Sequence, residues 1–185
     1  VLRRFRDDMR ARQGELAASG NRRFTVSPDT PFEWLLIDEL AMLSAYAERR
    51  EVHDAMALLG EIQTQGRAIG FGVAGYVQEP TKDIVETREL FTDRICLAVA
   101  TAAHVDMVLG EGTRDRGALA DQIPLDEGEH AGIGFVVAQG SRRITRIRGC
   151  YVTDPDIDEL VATCAPRARL IPVPPVRTAR RIGVA

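Results

Sequence analysis

The chain has 185 residues, 45% hydrophobic and 28% charged, with a formal net charge of −3, enough for one sizeable core of ordinary globular composition. That near-neutral balance excludes nucleic-acid binding by overall positive charge, so any such contact needs local arginine patches. No apolar run reaches the length of a membrane span and the N-terminus lacks a signal-peptide core; Cys96, Cys150 and Cys164 lack metal-ligand spacing and read as buried or half-buried reduced thiols of a cytoplasmic protein.

Leu2, Phe5 and Met9 predict an amphipathic helix over residues 1 to 18, ended by Gly20-Asn21, with its arginines on a solvated face. Phe24 to Pro31, with two prolines and turn-forming Ser27, Asp29 and Thr30, is a connection. Trp34-Leu35-Leu36-Ile37 reads as a strand buried on both faces, and Asp38-Glu39 emerge at its carboxyl end. A helix over Glu39 to Arg49 follows, then a second, marked by Val52, Ala55, Met56, Leu59 and Ile62, to about Ala68. Gly70 to Tyr76 predicts a strand.

Further on, Asp83 to Phe91 reads as a short helix, Arg94 to Val99 as a buried strand, and Thr101 to Leu109 as helical turns closed by glycines. Gly132 to Val137 and Ile144 to Arg148 predict a hairpin around Gly140-Ser141. Thr153 or Asp154 caps a last helix with Leu160 and Val161 facing inward, and from Cys164 prolines and arginines make a tail. Strands alternating with helices imply an α/β sandwich, mostly parallel with helices on both faces and a late antiparallel hairpin. The domain reading is an N-terminal helix and connection over 1–30, a core over 31–163 and a tail over 164–185.

An apolar strand ending in two carboxylates is the form of a Walker B element, where the first acid holds Mg²⁺ and the second polarises the attacking water. The same pattern also arises where acids cap an ordinary helix. The phosphate-binding loop Gly-x-x-x-x-Gly-Lys-Ser/Thr is absent: Lys82, the only lysine, follows Thr81 and precedes Asp83, so no hydroxyl stands where one should meet Mg²⁺.

Several later segments, in order, resemble the FtsK/SpoIIIE family of hexameric, ATP-driven double-stranded DNA translocases, nearest its actinobacterial conjugative-transfer branch. After Asp38-Glu39-Leu40-Ala41 come Leu43-Ser44-Ala45-Tyr46, Gln65-Gly66-Arg67-Ala68 and Gln78-Glu79-Pro80. Then follow Arg88-Glu89-Leu90-Phe91-Thr92-Asp93-Arg94-Ile95, Val105 to Gly112, and Arg116-Gly117-Ala118. Together they span residues 30 to 163. The resemblance implies the C-terminal part of a RecA-like P-loop NTPase core, with ATP and Mg²⁺ as cofactors. It also implies double-stranded DNA and further copies of the chain, in a hexamer, as partners. The motor would be cytoplasmic, with a membrane anchor possible outside these residues. The alternative is a ring-assembly or DNA-binding module that has lost its nucleotide site.

On this resemblance Asp38 binds Mg²⁺ and the nucleotide, and Glu39 activates water. Gln78 senses the γ-phosphate, or is a surface glutamine at a strand end. Arg94 is the finger that completes a neighbouring subunit's site, or pairs with Asp93 or Glu89. Arg67 and Arg88 could also serve an interface. His104 and His130 stand apart from other ligands and read as surface or loop residues. Where the family often has a Gly-Lys/His-Gly-Asp-like sequence before the late strand, this chain has Glu129-His130-Ala131-Gly132.

Overall fold

The computed structural model describes residues 1–20, 24–41, 48–80, 88–125, 128–138 and 140–164. It separates into two compact units, Val1–Gly149 and Cys150–Ala185.

Within the first unit, helix α1 (Leu2–Ala18) and strand β1 (Glu33–Ile37) lead to helix α2 (Arg49–Gln65), a 3₁₀ turn at Gly66–Ile69 and strand β2 (Phe71–Gly75). Strands β1 and β2 pair in parallel, Trp34 opposite Gly72 and Ile37 opposite Gly75. Parallel neighbours need a crossover long enough to return the chain, and α2 provides it. Its apolar stripe seats Met56, Leu59 and Ile62 inward. With Met9, Ile69 and Phe71, Ile62 forms a core cluster in which Phe5 meets Phe71 edge-on at 5.1 Å. Side chains of this size each contribute about 1.5–3 kcal/mol on burial. Gly70 takes φ +83°, and a Cβ there would fall 2.4 Å from the Phe24 ring, so only glycine lets that ring close over the turn.

Helices α1 and α2 cover one face of this sheet, the face of Leu35. The other face has no such cover among the described residues: Trp34 and Leu36 are 59% and 66% exposed. This corrects the expectation of a strand buried on both faces. An apolar run reports affinity for a cover and not whether the cover is present.

Strand β3 (Arg94–Leu97), helix α3 (Ala102–Leu109), strand β4 (Ile133–Val137) and strand β5 (Ile144–Arg148) build the rest of the unit. The strands form an antiparallel sheet, β3-β4-β5, with Cys96 opposite Phe135 and Phe135 opposite Arg146. Parallel pairing among the described residues is therefore confined to β1 and β2, and the expected hairpin is present as β4 and β5. Cys96, Val105, Leu109, Ile123, Ile133 and Phe135 pack as a second core. Ile95 and Leu97 are exposed, so β3 too is covered on one face only. Thr101 caps α3, its side chain accepting from the His104 N–H.

The second unit holds helix α4 (Asp154–Cys164), opened by a reciprocal cap. The Thr153 N–H and hydroxyl donate to the Asp156 carboxylate, whose own N–H donates to Thr153 Oγ1. Leu160 and Val161 are exposed and not packed inward as expected, and no described residue of α4 is buried. Cys150 and Cys164 are likewise exposed, so only Cys96 fits the expected burial. The expected helices over Glu39 to Arg49 and Asp83 to Phe91, Lys82, the Leu43 to Tyr46 segment and the tail beyond Cys164 fall wholly or largely outside the described residues. Where those segments are described, Leu40 and Ala41 make a turn and Arg88–Leu90 a 3₁₀ turn. No described helix is long and apolar enough to cross a membrane.

Candidate functional site at the parallel strand ends

The carboxyl ends of β1 and β2 lie side by side, and backbone hydrogen bonds extend their pairing past both strands. The Tyr76 N–H donates to the Ile37 carbonyl at 2.9 Å, and the Leu40 N–H to the Tyr76 carbonyl at 2.8 Å. Leu40 is buried against Leu59 and Ile37, which fixes the turn just after the two acids. Gly75 makes this possible: a Cβ there would lie 2.6 Å from Leu40 Cδ1 and 2.9 Å from Cγ.

That anchoring sets apart the two carboxylates. Asp38 is exposed beyond the strand end. Glu39 is half-buried and folds back, Oε1 accepting from the Ala41 N–H at 3.0 Å and Oε2 from the Gln78 N–H at 3.2 Å. The structure thus brings Glu39 and Gln78 together through the Gln78 backbone, a partner that spacing along the chain does not reveal. The Gln78 side chain is itself exposed.

Asp38 and Glu39 border a cleft of about 730 Å³, which Glu51 and Asp54 of α2 and Arg3 of α1 also line. The volume is of the size that holds a nucleotide. Its charge is not: four carboxylates face one guanidinium, and Arg3 already pairs with Asp54 at 3.5 Å. A triphosphate entering here would be repelled unless cations came with it or from another segment. No group of three or more potential metal-ligating side chains occurs among the described residues. A lone exposed carboxylate nevertheless suits Mg²⁺, which keeps most of its waters and takes one or two carboxylates together with phosphate oxygens.

Arg94 stands elsewhere, at the start of β3. Its Nε donates to the Phe91 carbonyl at 2.9 Å and its Nη2 pairs with Glu89 at 2.9 Å, leaving the side chain 19% exposed. Of its two sequence readings, the Glu89 pairing is therefore present in this chain. Arg67 lies exposed on the 3₁₀ turn after α2.

Sequence reasoning missed Arg12. Read as part of a solvated face, it sits 12% exposed above Phe71, its guanidinium carbon 4.5 Å from the ring centroid, and donates to Glu33 Oε1 at 2.6 Å. It also donates to the Pro31 and Ile69 carbonyls, so α1 is tied to the starts of both site-bearing strands. The glycine-rich loop after α3 is closed by its own contacts. Thr113 is fully buried, and Arg114 forks onto Asp121 at 3.0 and 3.3 Å.

No protein-family model matches the chain. Among curated proteins it is 27% identical to the DNA translocase FtsK of Mycobacterium leprae over 175 residues, 94% of this chain and 19% of that protein. The FtsK of Mycobacterium tuberculosis is 28% identical over 138 residues, 75% of this chain and 15% of that one. The chain is similar to the FtsK translocases. It spans about a fifth or less of the length of these FtsK proteins. Among solved structures, the pCW3 conjugation coupling protein TcpA, determined with ATPγS, superposes with a TM-score of 0.69 at 17% identity, covering 88% of this chain and 47% of that one. The cytoplasmic domain of the type VII secretion ATPase EccC from Thermomonospora curvata gives a TM-score of 0.55 at 23% identity, covering 80% and 17%. These likenesses show that the chain shares the fold of the matching parts of those two proteins.

Proposed function

We propose that this chain is part of an ATP-driven double-stranded DNA translocase, the part running from the Walker B strand onward over residues 31–163, whose phosphate-binding loop is supplied by another segment. The observation that carries this reading is the join of β1 and β2, which sets an exposed Asp38 beside a half-buried Glu39 held across to Gln78. Similarity to DNA translocases named FtsK supports DNA as the substrate; its duplex form, and conjugation or chromosome segregation as the setting, follow from the resemblance of the sequence motifs.

Bound ATP would supply the phosphoryl group, and Mg²⁺ would supply positive charge that offsets the negative charge developing on its oxygens. Asp38 would hold the hydrated cation at the strand end. Glu39 orients and accepts a proton from the attacking water, for which it must exchange the longer of its two hydrogen bonds, that from the Gln78 N–H. Gln78 then links the state of the site to the loop after β2. In a homo-hexamer, Arg94 reaches a neighbour's phosphates by giving up Glu89, and a guanidinium so placed is worth about 10³-fold or more in rate. The cleft's surplus of acids accounts for why the chain by itself would not hold ATP.

The test is to read the coding sequence upstream of Val1 for Gly-x-x-x-x-Gly-Lys-Ser/Thr and to assay the complete product for DNA-stimulated ATP hydrolysis. An in-frame loop, with hydrolysis that falls when Arg94 becomes Ala, supports the motor. Absence of both the loop and hydrolysis would make the protein an interaction module with a motor's fold.

A further inference from the structure

The arginines of this chain fall into two groups. On α1, Arg3, Arg4, Arg6, Arg10 and Arg12 each pair with a carboxylate, those of Asp54, Asp8, Asp7, Glu61 and Glu33. In the segment Gly140 to Gly149 the opposite holds. Arg142, Arg143, Arg146 and Arg148 are all exposed, no acid occurs in the segment, and none of the four pairs with a carboxylate among the described residues. A chain with a net charge of −3 thus concentrates four unneutralised cations on one hairpin.

Arg146 and Arg148 alternate along β5, opposite Phe135 and Ile133 of β4, and so share one face of an edge strand about 6.7 Å apart along the chain. Arg142 and Arg143 continue the cation row into the turn, where Ser141 is also exposed; Thr145 lies exposed on β5 itself. Charge on an edge strand also guards against edge-to-edge pairing. That role needs one or two charges of either sign and not an acid-free row of four. Phosphates are bound by clustered guanidinium and hydroxyl donors, and β5 presents such donors along the edge of the sheet.

We propose that the β4–β5 hairpin contacts the phosphate backbone of duplex DNA through Arg142, Arg143, Arg146 and Arg148. The choice of partner rests on the motor reading. The hairpin supplies the local patch that a near-neutral chain requires, and the contact carries no sequence preference because it addresses phosphates alone. An anionic membrane fits less well. The turn carries Ala138, Gly140 and Ser141 and offers no large apolar side chain to insert.

The experiment titrates the 185-residue chain with a fluorescent duplex by anisotropy between about 50 and 200 mM salt. Four phosphate contacts give a slope of log Kobs against log salt near −3.6, so affinity falls about 150-fold over that range. R146Q/R148Q removes two contacts, halves the slope and leaves about a 12-fold fall. The charge-matched R4Q/R10Q, on α1, leaves the slope at the wild-type value, and circular dichroism confirms that both variants are folded. A wild-type slope in R146Q/R148Q, or no duplex binding by the wild type at low salt, overturns the proposal. So does a variant that loses binding to phosphatidylglycerol vesicles while keeping that to DNA. DNA-stimulated hydrolysis by the complete product reports on the motor reading separately. If hydrolysis fails and the slope change persists, the hairpin assignment stands without the motor.

Discussion

Replacing Arg12 with Met removes a polar anchor whose loss can be sized from its contacts. The guanidinium makes a 2.6 Å pair with Glu33, bonds of 2.9 and 3.4 Å to the Pro31 and Ile69 carbonyls, and a stacked contact with Phe71. Hydrogen bonds involving a charged group are worth about 1.5–3 kcal/mol each, and a partly buried cation–π contact about 1–2. They do not add, because Glu33 is 37% exposed and water reaches it once Arg12 is gone. Met also keeps much of the stem's packing on Phe71. The net loss is about 3 kcal/mol, which for a unit of this size lowers Tm by about 6–12 °C. Arg12→Lys keeps the charge but not the fork and loses about half as much. Arg4→Ala, whose Asp8 partner lies 3.9 Å away on an exposed face, stays within about 0.5 kcal/mol. Thermal unfolding followed by circular dichroism measures all three. An Arg12→Met chain melting within about 2 °C of wild type would refute the idea that this side chain ties α1 to β1 and β2.

Gly75→Val drives a branched Cβ into Leu40 and lowers the urea midpoint by the equivalent of about 1–3 kcal/mol; Leu40→Ala in the same chain restores part of the loss, and strict additivity would contradict the contact. Hydrogen bonds from Arg114, then its charge, hold the Asp121 carboxyl below the usual carboxylate range. A depressed folded pKa stabilises above the unfolded value near 4 and is lost as pH falls through the folded one. Asp121→Asn is therefore less stable than wild type at pH 7 and converges with it by about pH 2, and a constant gap across melts at pH 7, 4 and 2 would oppose this. Burial, and secondarily the Asp121 charge, raise the Cys96 thiol to about 11. Ellman's reagent should then react rapidly with Cys150 and Cys164 and reach Cys96 only after denaturation, and three fast thiols would contradict the packing.

The elements were legible wherever a period ran long enough. Val52, Met56, Leu59 and Ile62 announce α2, and the two β-rich runs around Gly140 announce the β4–β5 hairpin. The acids after Ile37 mark a strand end because an apolar run stops there abruptly. What could not be read is long-range. Arg12 meets Glu33, Pro31 and Ile69 only once α1 lies across β2, and no local pattern distinguishes it from Arg4. Glu39 finds the Gln78 backbone because β1 and β2 are neighbours, whereas the family resemblance singles out the Gln78 side chain. Trp34, Leu36, Ile95 and Leu97 carry the hydrophobicity of buried strands on faces with no cover among the described residues. The acid-free arginine row from Arg142 to Arg148 was visible in the letters, but its meaning needed the contrast with the paired arginines of α1.

The most direct test of the strand-end site is nucleotide binding and turnover by the complete product carrying Glu39→Gln, measured with and without duplex DNA. The isosteric amide keeps an oxygen to accept one of the two backbone N–H groups, so ATP should bind with near wild-type affinity. Turnover should fall by about 10²–10⁴-fold, the range of a lost general base. Wild-type hydrolysis by that variant would remove Glu39 from the chemistry and, with it, the central claim that the joined ends of β1 and β2 form the reactive site.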